Sequence, residues 1–319
     1  FFFVPISMSN GNEAEEQTRY DRQIRLWGHD AQNRMRESRI VIVNLGGLAV
    51  EIVKNLVLSG IGRVHVVDNL LVTPPDLAIN FFLEETDLGK NRAVASLERI
   101  QQLNPLVDIT VEAADPATKP AEYWHEFDVV CLTEAPLALQ HHINDVVRQK
   151  GAMFISCNSF GLLAISFSDL GPSFQYKVKN ENTKIEEEHS VTFTPLKEVQ
   201  ASTAWSKFKP SRSFLTARLL LHVMDHGEAV DAQALVTARD ALAARHGFRA
   251  DLLPDTYLTS LLARGCRALM AFSPVCTVVG GEIAQEILKV VQRNAAPINN
   301  VFLYDATEAD LKGILERVP

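Results

Sequence analysis

Between Arg39 and Asp68 the chain reads RIVIVNLGGLAVEIVKNLVLSGIGRVHVVD. This is the outline of a phosphate-binding βαβ unit: an apolar strand, a glycine turn, an amphipathic helix, and a second strand ending in an acid. Such a unit holds phosphate because backbone N–H groups at the helix N-terminus point at the anion. In a G-x-G-x-x-G loop the first glycine makes the tight turn, the second lets backbone approach phosphate, and the third gives close helix packing. Asn44, Gly46 and Ala49 stand at those positions, with one further glycine at Gly47. Only the middle glycine survives, which opposes a nicotinamide-dependent oxidoreductase. Asp68 has the right place to accept ribose hydroxyls; an acid that merely closes the turn before Asn69 reads equally well.

The elements that position this loop follow from hydrophobic periodicity. EEQTRYDRQIRLWGHDAQNRMRES, with apolar Ile24, Leu26 and Trp27, reads as an N-terminal helical pair. RIVIVN, RVHVVD, DITVEA, FDVVCLT and AMFISCNSFG read as strands with helices between them, and LLAISFSDLG as a further strand. That alternation predicts a parallel, doubly wound α/β sheet of Rossmann type. After Gly171-Pro172 the pattern breaks. KVKNENTKIEEEHS reads as a charged loop, VTFTPL as a strand, and residues 211 to 270 as a mostly helical insertion, so two lobes are expected. SPVCTVVGGEIAQEILKVVQ then returns as a helix and NNVFLYD as a closing strand.

Composition narrows the function. The chain has 319 residues, 47% of them hydrophobic, and a net charge of -8, which disfavours nucleic acid and acidic membranes as partners. No apolar run approaches the roughly 20 residues of a spanning helix. FFFVPIS is too short for a signal peptide and lacks a basic region, so Met8 is read as the natural start. Cys131, Cys157, Cys266 and Cys276 contain no C-x-x-C pair, which argues against structural zinc, and three of the four lie in apolar surroundings, which reads as reduced, buried thiols of an intracellular protein. The adjacent His141 and His142 point in different directions on a helix, which argues against a metal there. Gly280 and Gly281 are read as opening a helix, where either an anion site or close backbone approach accounts for two glycines, the second better.

Five stretches carry a family resemblance: RYDRQIRLWG, the altered loop, GKNRAVASLERIQQLNP, VTFTPLKEV and PVCTVVGGEIAQEILK. In this order they resemble the smaller, non-cysteine subunits of SUMO-activating enzymes. The resemblance implies an adenylation-like fold with a first part at 18–172, a linker and insertion at 173–265, a closing part at 266–319, and a disordered segment at 1–17. It also implies pairing with a catalytic cysteine-bearing subunit, SUMO as substrate of the pair, and a nuclear location with a cytoplasmic pool. Catalytic relatives adenylate the C-terminal carboxylate of a ubiquitin-like protein: attack at the α-phosphate expels pyrophosphate, so cations must hold the β and γ oxygens. Against that pattern, Ile79 stands where an arginine is needed and Arg92 where a lysine is needed. The metal aspartate falls at about Thr133, with Glu134 beside it. ATP and Mg²⁺ are therefore expected in the partner and no metal here. Arg22 matches the family position whose side chain reaches across the dimer to the partner's ATP phosphates. A surface pair of Arg22 with Asp21 or Glu15 is the plainer alternative, and Arg25 either supports that interface or lies on a solvated face. Two rival readings are the regulatory subunit for NEDD8, which shares the YDRQ opening, and a self-sufficient homodimeric adenylating enzyme, which Asn44, Ile79 and Arg92 oppose.

Overall fold

The computed structural model describes residues 10–179, 185–202, 205, 209–226, 230–263, 271–307 and 313–318. Met8, the segment before it and Cys266 lie outside the described residues. Two helices lead in, α1 (Asn10–Trp27) and α2 (His29–Glu37), so helix begins inside the stretch expected to be disordered. There follow β1 (Arg39–Val43), α3 (Gly47–Ser59), β2 (Arg63–Val67), α4 (Pro74–Ile79), α5 (Arg92–Leu103), β3 (Asp108–Glu112), α6 (Ala121–Trp124), β4 (Val129–Thr133), α7 (Leu137–Lys150) and β5 (Met153–Phe160). The second half holds β6 (Leu163–Asp169), β7 (Phe174–Lys179), β8 (Glu186–Val191), α8 (Leu196–Ala201), α9 (Arg212–Asp225), α10 (Ala232–His246), α11 (Asp255–Ala263), α12 (Ser273–Gln292), β9 (Val301–Asp305) and β10 (Gly313–Glu316).

The main sheet runs β10-β9-β6-β5-β4-β1-β2-β3. Strands β3, β2, β1, β4 and β5 are parallel, as expected, whereas β6, β9 and β10 add in antiparallel sense. The sheet is therefore mixed, because Gly161, at φ 64°, lets β5 turn directly into β6 without a crossover.

Both faces of the sheet are buried, which accounts for the unbroken apolar run in β1. Ile40 and Ile42 join one core with Leu48, Ile52, Val279 and Ile283 from α3 and α12. Val41 and Val43 join another with Ile143 of α7 and with Phe214, Leu219 and Leu235 of α9 and α10. The helical insertion thus forms the second layer of the same sheet, and the two-lobe expectation is wrong. A sheet covered by α7 alone on that face would leave its outer strands wet. The charged loop is also corrected. It is the β7-β8 hairpin, in which Lys177 pairs with Glu188 at 3.1 Å and Tyr176 stacks on His189, while most of VTFTPL lies beyond the strand. An exposed ribbon of this kind is held by cross-strand pairs, which do not show when the sequence is read along one strand.

Gly280 does not open a helix; it sits in the middle of α12, where that helix meets α3. A Cβ there would lie 2.5 Å from Glu51 Cβ and 3.1 Å from the Leu48 carbonyl oxygen, whereas one on Gly281 would meet nothing within 4 Å. We expect Gly280→Ala to lower stability by about 1–3 kcal/mol and Gly281→Ala to raise it by up to about 1 kcal/mol. Urea unfolding midpoints check this; equal midpoints for the two variants would contradict the close approach.

Candidate functional site

Strand order reverses between β1 and β4, so the cleft beyond their C-terminal ends is where a doubly wound sheet binds its ligand. The chain brings Asn44, Gly46, Gly47, Asp68, Ile79, Arg92, Thr133 and Glu134 to this place. Asn44 has φ 65°, its N–H donates to Val67 O at 2.9 Å, and its Nδ2 donates to Thr133 O at 2.9 Å. Asparagine tolerates the left-handed region better than most residues, so the tight turn survives without the first glycine. Loss of that glycine, taken alone, does not disable the loop.

The loop is lined by the chain's own carboxyl. Glu134, itself at φ 51°, lays Oε2 so close to Gly46 that a Cβ there would clash with it, and its Oε1 accepts from Ser159 Oγ at 2.9 Å. The gap that a glycine leaves for phosphate at the start of α3 is filled by the chain's own carboxyl. Around Gly47 the neighbours are Cys276 Sγ, Ala271 Cβ and Ile79 Cβ, at 3.1 to 3.4 Å from a Cβ placed there. Thr133, the residue aligned with the metal acid, shares its hydroxyl proton between the carbonyls of Val43 and Asn44.

Among the described residues, the cation that lines this cleft is already engaged. Arg92 is buried, its Nε and NH2 donate to Asp68 Oδ2 at 2.9 and 2.8 Å, and its NH1 donates to Asp76 Oδ1 at 3.1 Å. Asp68 also accepts from the N–H groups of Leu45 at 2.7 Å and Leu70 at 2.8 Å and is wholly buried. It serves the loop rather than a ribose. Asp76 caps α4 through Thr73, and these hydrogen bonds with Arg92 outweigh burial, holding its carboxyl below the usual range. Burial pushes the Glu134 carboxyl up. Three carboxyl groups face one guanidinium, so the residues present do not fit a magnesium triphosphate, which needs cations left free for its oxygens.

Arg22 lies elsewhere. Helix α1 is fastened by Tyr20, whose ring packs on Gly60 and whose hydroxyl accepts from Asn104 Nδ2 at 2.6 Å; Ile24, Leu26 and Trp27 do not make this anchor. Leu26 is exposed, and half-buried Trp27 packs on the α3 side of the core. Two residues beyond Tyr20, about 200° around the helix, Arg22 faces away from the chain and is exposed. Asp21 pairs with Arg25 at 2.9 Å, not with Arg22, and among the described side chains no ion pair engages Arg22. Gly60 caps the C-terminus of α3 and Gly46 its N-terminus. Their separation of 14 residues spans about 21 Å, well beyond an arginine's reach.

The ThiF family matches residues 20–317. Rat SUMO-activating enzyme subunit 1 is 35% identical across 95% of this chain and 94% of its own length, and the human subunit 33% across 96% of each. The chain belongs to the ThiF family and, within it, to that of SUMO-activating enzyme subunit 1. Solved structures of the ThiF kind share its fold: E. coli MccB with AMPCPP and MccA has TM-score 0.58 at 16% identity, covering 99% of this chain and 74% of that one. PaaA has TM-score 0.57 at 16% identity, covering 99% and 76%.

Against that ThiF frame, the residues missed from sequence are Asp76 and Tyr20, and the sequence places Glu134 beside Thr133 without showing that it ends over Gly46. Cys131, Cys157 and Cys276 are buried, and desolvation first, then Glu134, pushes the Cys276 thiol up to about 12. That is a core thiol and not a nucleophile.

A carboxyl raised by burial favours its protonated form in the folded chain. Its ionisation costs stability as pH rises from its ordinary value of 4.5 through the raised folded one. Glu134→Gln is therefore expected to gain on the parent chain as pH rises from about 4.5 toward 8, read as the difference in melting temperature. A difference independent of pH would contradict the plugged loop.

Proposed function

We propose that this chain is the non-catalytic half of a SUMO-activating enzyme, pairing with a catalytic cysteine-bearing subunit that holds ATP and Mg²⁺ in its own cleft. In this reading the partner adenylates SUMO and carries the thioester cysteine. This chain lends its surface and one side chain: Arg22 extends into the partner's ATP site. The nucleus, with a cytoplasmic pool, is the compartment proposed for the pair.

One juxtaposition carries the reading. The cleft that should hold a triphosphate has its cation buried between two carboxylates and its phosphate space filled, while an exposed arginine stands at the far end of α3. Each charge-assisted phosphate contact is worth about 1.5–3 kcal/mol, so a cleft lacking several of them holds nucleotide weakly. An arginine suits service in a neighbouring site because it stays charged and offers a planar fork of donors to phosphate oxygens.

Two outcomes are expected. Calorimetry on the purified chain with MgATP shows no micromolar binding; a micromolar dissociation constant without partner would defeat the reading. Arg22→Ala leaves co-elution with the catalytic subunit unchanged but slows ATP–pyrophosphate exchange by about 10³-fold or more. An unchanged exchange rate removes Arg22 from the chemistry.

A further inference from the structure

Behind the second face of the sheet lies a small cavity of about 30 Å³ lined in part by Gln140 of α7, Asn158 of β5, Gln200 of α8 and Arg218 of α9. The hydrogen bonds around it fix which atoms look inward. Gln140 Nε2 donates to the Ala135 carbonyl at 2.7 Å, and a carbonyl can only accept, so the amide orientation is set. The same nitrogen donates to Asn158 Oδ1 at 3.2 Å, which leaves Asn158 Nδ2 as the free end of that amide. In the tautomer that carries its proton on Nε2, His141 donates to the Gln200 oxygen, which leaves Gln200 Nε2 free in turn.

Asn158 Nδ2, Gln200 Nε2 and Arg218 Nε are all buried without a hydrogen-bond partner, and the two amide side chains are 3% and 8% exposed. Every one of the three is an N–H donor. Arg218 has no carboxylate ion pair among the described residues. Burial chiefly, and then the like charge of Arg245, pull its pKa down to about 10. Trp205 lies under the guanidinium at 5.8 Å, near the outer limit for a cation–π contact.

Buried donors left unpaired cost stability, and an uncompensated buried charge costs more. A water molecule here would accept from some of these groups but would bring two protons of its own toward further donors. A single acceptor carrying negative charge meets both needs. A small monatomic ion fits the volume. We infer that this cavity is a binding site for one monovalent inorganic anion of chloride size, held by Asn158, Gln200 and Arg218.

The test uses the full chain. Melting in sodium chloride or bromide is expected about 2–4 °C above melting in sodium gluconate at equal ionic strength. Arg218→Met should abolish that difference, and Asn158→Leu provides a second variant should the first fail to fold. In crystals grown with bromide, an anomalous peak bonded to these three nitrogens is the expected result. Density for water alone in the cavity overturns the inference, whatever halide sites appear on the surface. So does melting that is the same in halide and gluconate.

Discussion

Arg92, buried between Asp68 and Asp76, is the interaction on which the rest of this cleft depends. Asp68 simultaneously holds the N–H of Leu45 in the turn after β1 and that of Leu70 after β2, so the guanidinium ties the loop, through Asp68, to α4, through Asp76. Breaking such a pair on one side would strand a buried charge, at a cost of about 3–5 kcal/mol. The cation that catalytic relatives aim at phosphate is here part of the framework. The loop keeps its shape, and with it the surfaces around it, with its guanidinium held inside the framework.

Glu134 completes the conversion. A glycine at the start of a nucleotide-binding helix exists so that something negatively charged can come close. At Gly46 that something belongs to the chain. Its raised pKa shows that the environment disfavours the charge, consistent with a carboxyl that fills space beside Ser159 more than it neutralises anything.

The sequence made the outer frame legible, and the reasons are local. The β1–α3–β2 unit shows in RIVIVN and RVHVVD because both sheet faces are buried and every residue of β1 beyond Arg39 is apolar. The altered loop was legible too, as was the burial of Cys276 among valines. What was not legible depends on pairing between distant segments. Asn44 looked like damage because a left-handed φ at an asparagine is visible only once the turn is built. KVKNENTKIEEEHS reads as a loop because the pairing of Lys177 with Glu188 across two strands does not show along the chain. Glu134 looked like a displaced metal ligand because nothing near it in sequence shows that it ends over Gly46. The helices from Arg212 to Ala263 looked like a separate lobe because the second sheet face has no signature of its own in their sequence.

The central claim is that this chain's arginine and this chain's cleft serve different purposes, separated by the length of α3. A crystal structure of the assembled enzyme with MgATP tests it most directly. The account predicts nucleotide in the partner's cleft, with the Arg22 guanidinium within hydrogen-bonding distance of its phosphates. Nucleotide seated over Gly46, with Glu134 displaced, would contradict it.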